Sequence, residues 1–127
     1  MGSRRDVRIL FDSSIVIDAL NGIERASEEF AAADEHFASV ITRIEVLAGC
    51  KSRESEAQAK AILADLVLLE LSNEVAEEAI RIRRAGRLRL PDAVILATAR
   101  VHGLTLSTRN TKDFRPDFPE VRVPYEL

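Results

Sequence analysis

Short apolar runs of strand length alternate with longer segments of helical spacing, and this alternation narrows the possible folds more than any other feature. Val7–Phe11 is a short run containing Val, Ile, Leu and Phe, closed by Asp12-Ser13-Ser14. It reads as a buried strand followed by a helix cap. Ile15–Leu20 has helical spacing and stops at Asn21-Gly22. Glu24–Ala33 is helical by its Ala and Glu content, and His36–Ser39 reads as a second strand. Ile41–Gly49 and Glu54–Ala64 return to helical spacing. Leu66–Leu71 has strand length, but periodicity does not separate strand from helix there. Asn73–Arg84 predicts a helix capped by Asn73, with Gly86 just past its end. Pro91–His102 predicts a helix with Pro at its first position, stopped by Gly103. Leu104–Ser107 and Val121–Val123 read as closing strands. Strands separated by helices predict an α/β chain with a parallel sheet covered on both faces. In such sheets ligands bind beyond the carboxyl ends of the strands. Chemistry is therefore expected just after Phe11, just after the second strand and just after Ser107.

The 127 residues amount to a single domain. A hydrophobic share of 46% with 31% charged residues is the mix of a soluble globular chain rather than a disordered one. One Cys excludes an intrachain disulfide framework and a zinc site built on cysteines. His36 and His102 lie far apart, which argues against a His-rich metal site and leaves oxygen-ligand chemistry through the acids. With 21 acidic and 18 basic residues the net charge is −3, a balance that by itself argues against an ordinary nucleic-acid binder. No stretch approaches the ~18 apolar residues of a membrane span. Met1–Arg5 lacks the apolar segment of a signal peptide, and residues 1–5 are expected to be flexible. A single unpaired thiol without an export signal predicts a cytoplasmic protein.

Several acids fall where the crevice is expected. Asp12 follows the first strand directly, where helix capping and a site role are both open. Glu45 shares an i, i+3, i+4, i+7 helix face with Ile41, Ile44 and Ala48. A carboxylate inside an apolar stripe needs a partner, unless the stripe's edge lets it reach water. Asp92 stands in the first turn of a helix whose next residues, Ala93–Ala97, are apolar on nearly every side. That helix should be central, and Asp92 should sit at its mouth. Asn110 and Asp113 follow the strand ending at Ser107, either in a plain turn or in the site. Clustered carboxylates raise one another's pKa, and a hard divalent cation such as Mg²⁺ or Mn²⁺ resolves that conflict through oxygen ligands.

Taken together, these segments resemble the PIN-domain ribonucleases, most closely the short VapC-type toxins of toxin–antitoxin systems. Leu10–Asp18 resembles the family's opening strand with its first acid. Ser39–Glu45 resembles a Ser-x-x-Thr-x-x-Glu segment, Pro91–Ala97 the third acid with its apolar helix, and Leu106–Phe114 the closing Thr-Arg-Asn/Asp segment. The resemblance covers nearly the whole chain. It implies a PIN-like three-layer α/β/α fold with a central, mainly parallel sheet of four to five strands. It also implies a Mg²⁺-dependent endoribonuclease, Mn²⁺ substituting, that hydrolyses RNA phosphodiesters with an ion-activated water to leave 5′-phosphate and 3′-hydroxyl ends. A small VapB-like antitoxin and a toxin homodimer are the implied partners, with no membrane association. By carry-over Asp12 and Asp92 are the principal metal ligands and Glu45 the third acid. Many members have Asp where this chain has Asn110, so Asp113 is expected to supply the missing carboxylate. Ser13 and Thr108, with Asn110, are expected to orient carboxylates or waters.

Arg81, Arg83, Arg84, Arg87 and Arg89 crowd a stretch without acids that leads into Pro91-Asp92. Cations at a helix end complement its dipole, and Arg also matches phosphate geometry. On the second reading Arg81, Arg84, Arg87 and Arg89, with Arg109 and Lys112, form an RNA contact surface. A PIN-like module that binds RNA or protein without cutting is the alternative, motivated by Asn110. A haloacid-dehalogenase-like phosphatase ranks last, because Ser14 stands where that chemistry wants a second Asp.

Overall fold

The computed structural model describes residues 7–86, 88–115 and 118–127. Residues 1–5 and Arg87, both singled out in the sequence, lie outside the described residues. The elements run β1 (Arg8–Phe11), α1 (Ser13–Leu20), α2 (Glu24–Ala32), β2 (Glu35–Ser39), α3 (Val40–Ala48), α4 (Arg53–Ala64), β3 (Val67–Leu69), α5 (Asn73–Ala85), α6 (Leu90–His102), β4 (Thr105–Ser107) and β5 (Val121–Arg122). The strands form one sheet in the order β3-β2-β1-β4-β5, and every pairing is parallel. This is the α/β architecture expected from the alternation. The ambiguous segment at Leu66–Leu71 resolves as the edge strand β3, with Val67 and Leu68 exposed.

Alternation along the strands divides the interior into two cores. Leu10, Phe37 and Leu106 face α5 and α6, packing on Val75, Ala79, Ile82, Ile95 and Leu96. Ile9, Phe11 and Ala38 face the opposite layer, packing on Ile15 and Val16 of α1, Ala26 of α2 and Ala59 and Leu63 of α4. Two cores on the two faces of one parallel sheet make a three-layer α/β/α sandwich.

The α6 helix is the most deeply buried element: Asp92 through Ala99 are all buried. A helix apolar on every side has no face to give to water. Pro91 opens it, where a missing N–H costs nothing, and Gly103 closes it at φ 64°, in the left-handed region. Thr98, the polar interruption, returns its hydroxyl to the carbonyl of Val94 at 2.7 Å.

Two local expectations need correcting. Ser72, not Asn73, caps α5: its Oγ accepts from the Val75 N–H at 3.2 Å, and Asn73 is already helical. The face of α3 that enters the core carries Thr42 and Val46, with Ile41 half-buried against it, while Ile44, Glu45 and Ala48 are exposed. Ile44 is 57% exposed and Glu45 is exposed beside it, so Glu45 reaches water.

Two buried acids fasten the end of the chain. Arg109 donates twice to Asp18, at 2.7 and 2.8 Å, and the Tyr125 hydroxyl donates to the same carboxylate at 2.8 Å. Arg122 donates twice to Glu29, at 2.9 and 3.0 Å, and Ser107 adds a third bond at 2.9 Å. The Arg109 hydrogen bond holds Asp18 below the usual carboxylate range against the effect of burial. Burial pushes Glu29 up, but hydrogen bonds from Arg122 and Ser107, with the Arg122 charge, outweigh it and leave Glu29 low. Folded carboxylates with depressed pKa values stabilise the fold above their unfolded pKa, and that contribution is lost as pH falls through the folded values.

If α6 carries the core, Ile95→Ala lowers the unfolding free energy by about 3 kcal/mol, read from the urea midpoint at constant m-value. A loss below about 1 kcal/mol would place the helix nearer the surface than described.

Candidate functional site

Register builds the first half of the site. Phe11 pairs with Ser107 in the β1–β4 ladder, so Asp12 and Thr108 leave the sheet side by side. The Asp12 N–H donates to the Ser107 carbonyl at 2.9 Å, and the Thr108 N–H to the Arg122 carbonyl at 3.0 Å. Asp12 occupies the N-cap position of α1, yet its side chain makes no capping bond. Its Oδ2 instead accepts from the Thr108 hydroxyl at 2.8 Å and the Ser14 hydroxyl at 2.9 Å. The carboxylate is buried and held by two chain segments far apart in sequence.

The second half comes from the first turn of α6. Asp92 is buried, and its Oδ2 has no hydrogen-bond partner. The Arg89 guanidinium lies 3.5 Å from that oxygen, an electrostatic contact not aligned as a donated bond. Burial pushes the Asp92 carboxyl up to about 6; the Arg89 charge opposes this, and the charges of Asp113 and Asp12 add to it. Asp12, Asp92 and Asp113 therefore share one electrostatic site, on different elements, at the carboxyl edge of the sheet.

Asp113 is more exposed. It accepts from Asn110 Nδ2 at 2.9 Å and from Arg89 at 3.3 Å. Asn110 is thus a support for Asp113. Glu45, from α3, accepts from the Ser13 hydroxyl at 2.6 Å. Ser13 and Ser14 consequently divide between two acids, Ser13 to Glu45 and Ser14 to Asp12. Ser14 was missed in the sequence, although the Asp-Ser-Ser run placed it one residue from a named candidate.

All these donors are oxygens, and one buried carboxylate oxygen is unpartnered, which suits a hard divalent cation. Among the described residues, no group of three or more His, Cys, Asp or Glu side chains is gathered into a ready metal-binding set. Asp12, Glu45 and Asp113 are instead each held by their own hydrogen bonds. Thr108 and Ser14 hold Asp12, Ser13 holds Glu45, and Arg89 and Asn110 hold Asp113.

The expected RNA-contact cations separate. Arg81 donates to Glu78 on its own helix at 2.7 Å. Arg109 is committed to Asp18, because a bidentate bond to a buried carboxylate leaves its guanidinium no second forked partner, and this removes it from an open phosphate surface. Arg89 lies on the site acids, while Arg84 is exposed in a groove with Leu90 and Pro91, and Lys112 is exposed in another with Asp113.

The PIN domain family model matches residues 9–118, and the chain belongs to that family. A chain of a toxin–antitoxin complex from Klebsiella pneumoniae is 39% identical, with 94% of this chain and 99% of that one covered at a TM-score of 0.86. FitAcB from Neisseria gonorrhoeae is 24% identical, with 94% and 99% covered at a TM-score of 0.76. Mycobacterium tuberculosis VapC20, a sarcin–ricin loop cleaving toxin, is 17% identical, with 87% and 92% covered at a TM-score of 0.64. The last two likenesses concern the fold. No curated protein sequence matches the chain. Among the described residues no helix is long and apolar enough to cross a membrane.

The raised Asp92 pKa carries a sign that can be measured. A carboxyl at about 6 in the fold, against 3.8 for an ordinary aspartate, binds more protons folded than unfolded between those values. Stability of the metal-free protein therefore falls as pH rises through that window, and the penalty persists above it. Asp92→Asn in EDTA should gain roughly 2 kcal/mol at pH 8, with the gain shrinking below pH 6. Melting temperatures of both proteins across this range check it; a gain independent of pH would contradict the assignment.

Proposed function

We propose that the chain is the toxin of a type II toxin–antitoxin pair and acts as a metal-dependent endoribonuclease. The observation that carries this reading is the buried Asp92 carboxylate, with an unpartnered oxygen and a raised pKa, beside Asp12 and Asp113. A bound Mg²⁺ or Mn²⁺ supplies activation of the attacking water and stabilisation of charge at the phosphoryl centre. Asp12 and Asp92 are the principal ligands, and Glu45 and Asp113 complete the acid set. Thr108 and Ser14 fix the Asp12 carboxylate, so it need not reorganise when the ion enters. Glu45, fixed by Ser13 and open to water, stands ready to accept a proton from the attacking water. Arg84, Lys112 and Arg89 supply phosphate contacts around the acids, which makes RNA affinity fall steeply with salt.

The family match and the toxin–antitoxin complexes of similar structure support an antitoxin partner, read here as VapB-like. A homodimer is part of the same reading. The alternative of an RNA-binding module without cleavage rests on Asn110, which brings no charge to the position where Asp is common in the family.

Cleavage of a structured RNA in Mg²⁺ tests the reading. Asp12→Ala and Asp92→Ala should each lose at least about 100-fold in rate, and Ser14→Ala or Thr108→Val about tenfold. Equal cleavage by all variants would remove the site assignment. RNA binding with no cleavage by the wild type would favour the binding module.

A further inference from the structure

Arg89 is placed unlike the other arginines near the site. It occupies the N-cap position of α6, so Leu90 and Pro91 fix its backbone three residues before Asp92. Its guanidinium lies 3.5 Å from Asp92 Oδ2 and 3.3 Å from Asp113 Oδ2. The side chain is 71% exposed, while the Asp92 side chain is 7% exposed. An exposed, solvated cation thus bridges two carboxylates, one of them buried and short of a partner.

From this juxtaposition we infer that Arg89 is the resident counter-cation of the metal-free centre, which a divalent ion must displace from Asp92 and Asp113 before it can bind. The inference rests on the metal-centre reading above, and deepens it by naming what the ion competes with. Exposure makes the displacement cheap. The exposed guanidinium returns to water at little cost, and the incoming ion takes over the buried Asp92 charge that it leaves. The other buried acids have no such arrangement. Asp18 and Glu29 are closed by aligned, bidentate arginines, which no ion would displace readily. The Arg89 contact with Asp92 is off-line and long, so it offsets part of the centre's charge without satisfying the carboxylate.

Displacement also couples the metal to the substrate. A phosphodiester that draws Arg89 outward vacates the carboxylates, and an ion that expels Arg89 leaves a guanidinium ready for phosphate. By linkage each favours the other to the same extent.

Mn²⁺ alone is the probe, titrated by calorimetry or by loss of its free electron paramagnetic resonance signal. The folded full-length protein is used at low salt in the absence of RNA. Arg89→Gln should bind Mn²⁺ about fivefold more tightly than wild type, with Arg89→Lys in between. Arg84→Gln removes a nearby charge that touches none of the acids and should change affinity by less than about twofold. A short non-cleavable single-stranded oligonucleotide should tighten Mn²⁺ binding by the wild type but not by Arg89→Gln. Unchanged or weaker Mn²⁺ binding by Arg89→Gln overturns the inference, and so does equal tightening by Arg84→Gln. If Mn²⁺ binds none of the proteins, or binds Asp92→Asn as well as wild type, the metal-centre reading itself fails and the role of Arg89 falls with it.

Discussion

Burying a carboxylate at the mouth of a helix buried throughout Asp92–Ala99 is the constraint on which the rest of the site depends. The α6 helix has no polar face, so the fold places it between the sheet and α5, with its first turn at the carboxyl edge of the strands. Asp92 arrives there as a consequence of helix packing. Taking its charge out of water is costly unless a partner restores what water supplied. The protein solves the same problem completely at Asp18 and Glu29, with forked arginines and additional hydroxyl donors. At Asp92 it leaves one oxygen unpaired and lets the carboxyl pKa rise. Asp12, Asp18 and Glu29 are buried with hydrogen-bonded carboxylates, whereas Asp92, equally buried, keeps an unpartnered oxygen, and such exceptions tend to mark functional sites.

The opposite wall has a different physical origin. Asp12 and Thr108 meet because β1 and β4 pair in parallel with Phe11 opposite Ser107. Slipping that register by one residue would turn the side chains to the other faces of the sheet and separate the pair. The Arg109–Asp18–Tyr125 and Arg122–Glu29–Ser107 bonds tie the segment after β4 to α1 and α2. They stabilise the register at the place where the site needs it. Stability and positioning are therefore carried by the same buried bonds.

Much of this was readable from local pattern. The entry Leu90-Pro91-Asp92, the apolar run after it and Gly103 mark the position and burial of α6, because caps and all-round hydrophobicity are local signals. The end of β1 and the acid after it were legible for the same reason. The orientation of α3 was not. Ile41, Ile44, Glu45 and Ala48 form a plausible inward stripe, but Thr42 and Val46 are the residues buried, and only the packing of α3 against its neighbours decides between the faces. Nor was the role of Arg109, whose partner Asp18 lies 91 residues away in sequence. The buried Asp18 follows Ile15 and Val16 on the same short helix, so the burial argument applied to Glu45 would have found it.

The net charge of −3 is similarly a sum over groups that do not act together. Arg81 and Arg100 are spent on Glu78, with Arg100 also reaching Glu120; Arg109 and Arg122 neutralise Asp18 and Glu29. Each such pair removes one charge of either sign from the field a ligand meets. Near the site the field is set by Asp12, Asp92 and Asp113 against Arg89, with Arg84 and Lys112 alongside. At the acids themselves Asp12, Asp92 and Asp113 outnumber Arg89, which touches two of them, so without an added cation an approaching phosphodiester is repelled there. If Arg89 is the displaceable counter-cation proposed above, a divalent ion would reverse this balance twice, by its own charge and by returning Arg89 to the surface. On the proposed reading an acidic chain would present an attractive site to RNA once a divalent ion is bound, and the sign of the whole-chain charge carries little information about it.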